Sequence, residues 1–114
     1  MPRDTSFHDY VVHDVLSEMH GITSKAMFGG WGIYKNGIIF GIIIEGELYF
    51  KVGDENRDEF EKMDSHPFTY SNKNGKSVTM SYWLVPEEVL EDRERVRILA
   101  DQSVAINEKK KKQP

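Results

Sequence analysis

The chain contains no cysteine in 114 residues, which excludes a disulfide framework, a thiol nucleophile and a thiolate metal site. It has no long apolar run either. The longest, "IIFGIII" at Ile38 to Ile44, is far short of the roughly 20 residues that a bilayer-spanning helix needs, and the opening "MPRDTSFHDY" lacks the apolar core of a secretion signal. A cytoplasmic protein with no membrane role is expected. Positive charge is in deficit, with 15 Lys and Arg against 19 acids and a net charge of −4. Four of those positives sit together at Lys109 to Lys112, so the body is more acidic still. Non-specific nucleic-acid affinity comes from neutralising phosphates, and this body offers no extended duplex-binding face. Only the lysine run is left to touch nucleic acid.

What is present suits one folded domain spanning 1–114. Charged residues make up 30%, hydrophobic residues 39% and aromatics 11%, a balance typical of globular chains. From Thr5 or Ser6, apolar residues at Phe7, Val11, Val15 and Met19, with Val12 and Leu16 beside them, predict a helix that stops at His20-Gly21. The period then changes. "SKAMF", "WGIY", "IIFGIII" and "ELYFKV" are short β-branched and aromatic runs separated by Gly29-Gly30, Asn36-Gly37 and Glu45-Gly46, as in an antiparallel meander. Asn36-Gly37 is the strongest hairpin signal, because a type I′ turn needs positive φ at both central residues. In "IIFGIII" Ile38, Phe40, Ile42 and Ile44 would share one face and Ile39 and Ile43 the other, which places that strand centrally.

Asp54 is expected to cap a short helix that turns Phe60 and Met63 to the sheet. "PFTY" and "SVTMSYWLV" resume the strand pattern around the turn "SNKNGK". Pro86 fits the first position of another helix, with Glu87 and Glu88 at its positive end. Val96, Leu99, Ala100 and Ser103 mark the last helix, restarted at Asp92, and 108–114 is read as a flexible lysine-rich tail. The fold class is α+β, a mainly antiparallel sheet of about five strands flanked by helices in the order α-β-β-β-α-β-β-α.

The motifs that would carry chemistry fail on spacing. A dinucleotide fingerprint starting at Gly30 and Gly32 would need glycine where Lys35 stands, and strand follows instead of helix. Gly29 and Gly30 are read as turning the chain, and Gly32 and Gly41 as permitting a bulge or close backbone approach. Gly75-Lys76-Ser77 ends like a phosphate loop, but Tyr70 occupies the first glycine position. On a helix His8 and His13 are about 140° apart, and His13 and His20 about 10 Å apart along the axis, so neither pair chelates one metal. Solvated or capping histidines are expected. No serine elbow and no paired-histidine metal helix occurs. The chain therefore reads as a non-enzyme with no catalytic residue, cofactor or metal.

If Leu48, Phe50 and Val52 of "ELYFKV" face the core, Tyr49 and Lys51 project together from the other side. Tyr70, Met80 and Tyr82 can join them in an aromatic patch with one cation. Two readings of that patch stay open: a protein-binding surface through Tyr49, Lys51, Tyr70 and Tyr82, or core aromatics covered by helices on both sheet faces.

The blocks "MFGGWGIY", "LYFKVGDENRDEFEK", "PFTY" and "VTMSYWLVPEEVLED", in this order and spacing, resemble the TfoX N-terminal domain family, named for bacterial regulators of natural competence. The resemblance runs from about Phe7 to Val104. It rests on Met27, Phe28, Gly29, Gly30, Gly32, Tyr34, Leu48, Tyr49, Lys51, Asn56, Phe68, Tyr70, Met80, Ser81, Tyr82 and Pro86. It implies an antiparallel sheet flanked by helices, similar to secretion-chaperone-like folds, and no enzymatic activity. It also implies a regulatory role in transformation and transcription, exerted through a protein partner. The full regulators carry a second, C-terminal domain, whereas this chain is expected to act as a stand-alone domain. Lys25 and Leu99 stand where the family pattern has an arginine and a tryptophan; lysine keeps the charge but lacks the bidentate fork. A nucleic-acid role through the tail and a small-molecule site around Lys51 are the alternatives. A small sheet leaves edges that need cover, which also allows a homodimer.

Overall fold

The computed structural model describes residues 5–27 and 29–112, with side chains to 110. Phe28 and the chain's last two residues lie outside the described residues. A helix, α1 (Ser6–Tyr10), passes directly into a wider turn over Val11–Val15, where the Leu16 N–H donates to the Val11 carbonyl, five residues back, at 2.9 Å. The predicted helix therefore ends earlier than His20-Gly21. The widened turn lets Val11, Val15, Leu16 and Met19 all bury. Gly21 does not close a helix; its φ of +76° and missing Cβ admit the Asn36 side chain, which would otherwise be 2.1 Å from a Cβ.

Six strands follow: β1 (Ile22–Met27), β2 (Gly30–Lys35), β3 (Ile38–Ile44), β4 (Glu47–Lys51), β5 (Pro67–Ser71) and β6 (Ser77–Leu84). They form one antiparallel sheet in the order β1-β2-β3-β4-β6-β5. The sheet thus has one strand more than the expected five. Ile22–Met27 pairs along its whole length with β2, so four strands rather than three precede the next helix. Asn36 and Gly37 have φ of 49° and 83°, as the hairpin reading requires, and Glu45-Gly46 repeats that geometry at 53° and 75°.

The alternation in β3 is not regular. Its register with β2 shifts between Ile33 and Tyr34, which pair with Gly41 and Ile39. Phe40 is the extra residue of a β-bulge. Phe40 therefore joins Ile43 in the helix-side core, while Ile39, Ile42 and Ile44 share the other face. Gly41 makes this possible, since a Cβ there would stand 3.1 Å from the Phe50 ring and the Tyr49 carbonyl.

The helices are α2 (Arg57–Lys62), α3 (Glu87–Leu90) and α4 (Arg93–Lys112). Asn56 rather than Asp54 holds the cap position of α2, and Pro86 precedes α3 instead of starting it. Asp92 does cap α4, its carboxylate accepting from the Arg95 N–H at 3.1 Å. The backbone of Lys109–Lys112 continues this helix into the segment read as tail. All helices contribute to the larger core, built around Phe40, Phe50, Phe60, Leu16, Val96 and Leu99 on one sheet face. No described helix is long and apolar enough to cross a membrane.

Candidate interaction face of the sheet

The opposite face carries a second apolar cluster made of strand residues alone. Ile42, Tyr49 and Tyr82 are its buried centre, and Ile39, Ile44, Phe68, Met80 and Leu84 pack around them. Three neighbouring strands supply the centre, because Ile42 pairs with Tyr49, and β4 continues through Tyr49 and Lys51 alongside Leu84 and Tyr82 of β6. The Tyr49 ring meets Phe68 edge-on at 5.3 Å, and Phe68 stacks on Tyr70 at 6.2 Å.

Between these strands runs a groove of ≈ 520 Å³, lined by Met27, Trp31, Ile39, Ile42, Ile44, Glu45, Phe68, Tyr70, Met80 and Tyr82. Its wall is overwhelmingly apolar, with Glu45 as the single acid. Gly32 lies against two of the lining side chains: a Cβ there would meet the Met27 sulfur at 2.8 Å and the Ile39 side chain at 3.3 Å. Close approach is thus the role of Gly32, whereas Gly30 yields to backbone, its missing Cβ lying 2.0 Å from the Ile43 carbonyl oxygen. A second cleft of ≈ 580 Å³ on another side is bordered by Phe7, Tyr10, Glu47, Glu87 and Glu91.

The predicted patch residues do share this face, but three of them are not exposed. Tyr49, Lys51 and Tyr82 retain 5%, 8% and 9% of their surface, while Tyr70 retains 47%. Neither sequence reading holds whole: these are core aromatics, buried by the neighbouring strand side chains and, at Tyr82, also met by Asn107 near the end of α4. The Tyr49 hydroxyl donates to Glu47 at 3.4 Å; burial, then the Glu47 charge, raises its pKa. Burial likewise raises the Tyr82 pKa, opposed by the Asn107 amide at its hydroxyl. Lys51 Nζ donates to Ser81 Oγ at 2.5 Å and lies 5.5 Å from the Tyr82 ring centre. Burial, then Lys110, lowers the Lys51 pKa.

The other positions singled out in the sequence are structural. Asn56, 1% exposed, accepts from the Gly53 N–H at 2.8 Å and donates to the Lys51 carbonyl at 3.1 Å. Tyr34 lies beside Gly32. Gly29 takes φ +76° between β1 and β2. His8 is neither solvated nor a cap; its ring packs 4.0 Å from Trp31, and Nε2 lies 2.7 Å from Ser24 Oγ. Sequence reasoning missed Met27, Ile39, Ile42 and Ile44 as groove residues. The signal is the double apolar face of "IIFGIII", which places the strand centrally without saying what covers either face.

Sequence comparison agrees with this architecture. Residues 14–106 match the TfoX N-terminal domain. Protein Sxy of Escherichia coli (strain K12) is 26% identical over 102 residues, an alignment covering 88% of this chain and 48% of that protein. The chain therefore spans about half the length of the curated relative it matches. With the match extending over most of its length, the chain belongs to the TfoX N-terminal domain family.

Proposed function

We propose that this chain is a non-catalytic regulatory domain of the competence-regulator type, and that it binds an apolar segment of a protein partner in the groove on the sheet face opposite the larger core. The observation that carries the reading is the groove itself. Ligand and partner sites are concave and apolar with few polar groups, and a solvent-facing apolar surface of this kind marks an interaction site more often than a neutral surface. Family membership and the similarity to Sxy support a regulatory setting, and the same reading puts the protein in the cytoplasm, where transcription occurs.

The test is to immobilise the protein, pass nuclease-treated lysate of its source cell over it, and compare wild type with Tyr70→Glu and Met80→Lys after circular dichroism shows both folded. A protein retained in stoichiometric amount by wild type and at least about tenfold less by the variants is expected, as for loss of an interface anchor. Equal retention by wild type and both variants overturns the groove. Retention of nucleic acid alone, lost on removing Lys109 to Lys112 and steeply weakened by salt, replaces it with a tail-driven electrostatic mode.

A further inference from the structure

A separate cluster of cations lies where β4 leaves the sheet. Lys51, the last residue of that strand, is 8% exposed, and a buried ammonium is costly unless paired. Its contacts are the Ser81 hydroxyl and the Tyr82 ring. Among the described residues no carboxylate comes within 4.0 Å of it. The last helix brings a second amine to the same place. Ser103 donates to the Lys51 carbonyl at 2.7 Å. One turn on, Asn107 donates to the Ile39 carbonyl at 2.8 Å and reaches the Tyr82 hydroxyl at 3.5 Å. Lys110 follows Ser103 and Asn107 on that helical face, the face that meets the ends of β4 and β3, and its charge opposes that of Lys51.

Two ammonium groups only donate, so they cannot bond to each other. An oxyanion accepts from both. We infer that Lys51, Lys110 and Ser81 form a binding site for the phosphate group of a small molecule, either inorganic phosphate or a phosphate monoester. The two positive charges match the roughly −1.5 to −2 of a phosphate group near neutral pH. The Ser81 oxygen accepts a hydrogen bond from the Lys51 ammonium while its own O–H is left to donate to a phosphate oxygen, and Ser81 is exposed, which leaves the site open to solvent. Lysines serve here as point charges rather than as a planar fork. Neither lysine lines the apolar groove, so the inference stands independently of partner binding. A bound phosphate would staple the end of α4 to the strand.

The test is calorimetric titration of the full chain with inorganic phosphate and with glycerol phosphate at constant ionic strength, alongside NMR of the Lys51 side chain. Saturable binding that moves the Lys51 resonances is expected. Lys110→Gln should weaken it by about tenfold or more, as loss of one charge-assisted hydrogen bond implies. Lys109→Gln should leave it unchanged, because Lys109 faces Glu55 at 4.0 Å. Tighter binding of the monoester assigns the site to phosphate esters, and binding of inorganic phosphate alone assigns it to the free ion. No saturable response at millimolar phosphate overturns the inference, as does Lys110→Gln binding like wild type. Lys51→Gln, where folded, must abolish binding; the Lys110 comparison decides independently of it.

Discussion

The Ser103 hydroxyl of α4 donates to the Lys51 carbonyl at the end of β4, 52 positions away in sequence, at 2.7 Å. The Asn56 amide donates to the same oxygen from the other side, at 3.1 Å. Two buried side chains thus satisfy the carbonyl where the strand leaves the sheet, and a buried polar group left without a partner is costly.

Removing those donors should therefore cost stability unequally. Asn56→Ala strands the Gly53 N–H and leaves the Lys51 carbonyl with Ser103 as its side-chain donor, and a loss of about 2–4 kcal/mol is expected from one orphaned buried group and one further lost hydrogen bond. Ser103→Ala leaves Asn56 in place and should cost about 1 kcal/mol. Asn56→Asp keeps the acceptor for Gly53 but has no donor for Lys51, so it should not rescue. Urea unfolding midpoints at constant slope measure all three.

The glycines separate fold from groove. A Cβ on Gly30 would strike the Ile43 carbonyl oxygen at 2.0 Å, and backbone in a sheet cannot yield without breaking the pairing. Gly30→Ala should cost more than about 3 kcal/mol, in the range of severe single substitutions. Gly32→Ala meets the Met27 sulfur at 2.8 Å, which a flexible side chain can vacate. It should cost less than about 1.5 kcal/mol while displacing Met27 into the groove and weakening partner binding. Thermal unfolding and partner retention on the same variants distinguish the two.

Tyr70 and Tyr49 should behave oppositely despite sharing a face. Tyr70→Ala removes a largely exposed ring and is expected to change stability by no more than about 0.5 kcal/mol. Tyr49→Ala empties a buried site against Phe68 and should cost about 3 kcal/mol or more. A binding loss seen in Tyr49→Ala therefore reports core damage unless the variant is shown folded, whereas Tyr70 reports the surface.

Alkaline titration should reveal the buried groups in sequence. Burial holds the Lys51 pKa below its unfolded value of 10.5. Between the folded and unfolded values the unfolded chain binds the extra proton, so stability rises with pH there. Tyr49 and Tyr82 are shifted above 10.0, so the unfolded chain loses their protons first and stability falls as pH climbs past that value. Lys51→Met should remove the rising limb and be at least as stable as wild type at neutral pH, since an apolar replacement avoids desolvating a charge. Tyr82→Phe should weaken the falling limb. Denaturant unfolding between about pH 8 and about pH 11, bracketing the reference values, measures both.

Local physics made several features legible in the amino-acid order alone. The Asn36-Gly37 turn was legible because positive φ at two successive positions is cheap for those residues and costly for most others. Phe60, Val96 and Leu99 were legible as helix positions facing the core, and Leu48, Phe50 and Val52 as inward-facing strand residues, because helical and strand periods are properties of the backbone. The family was legible for the same reason, since its pattern is a string of such local requirements.

Which surfaces meet depends on the assembled fold. Phe40 reads as a partner of Ile42, but the bulge beside Gly41 moves it to the opposite face; Gly41 signals that a bulge is tolerated there, not which residue it displaces. The groove exists because the helices build the larger core on one side of the sheet while "IIFGIII" is apolar on both, a mismatch visible only when the helices have been placed. Lys51 and Lys110 are far apart in sequence, and they converge because Ser103 and Asn107 register α4 against the ends of β4 and β3. Local propensity sets each element, whereas register, bulge and helix placement are fixed by burial shared among distant residues, and the groove and the lysine pair arise from that shared burial.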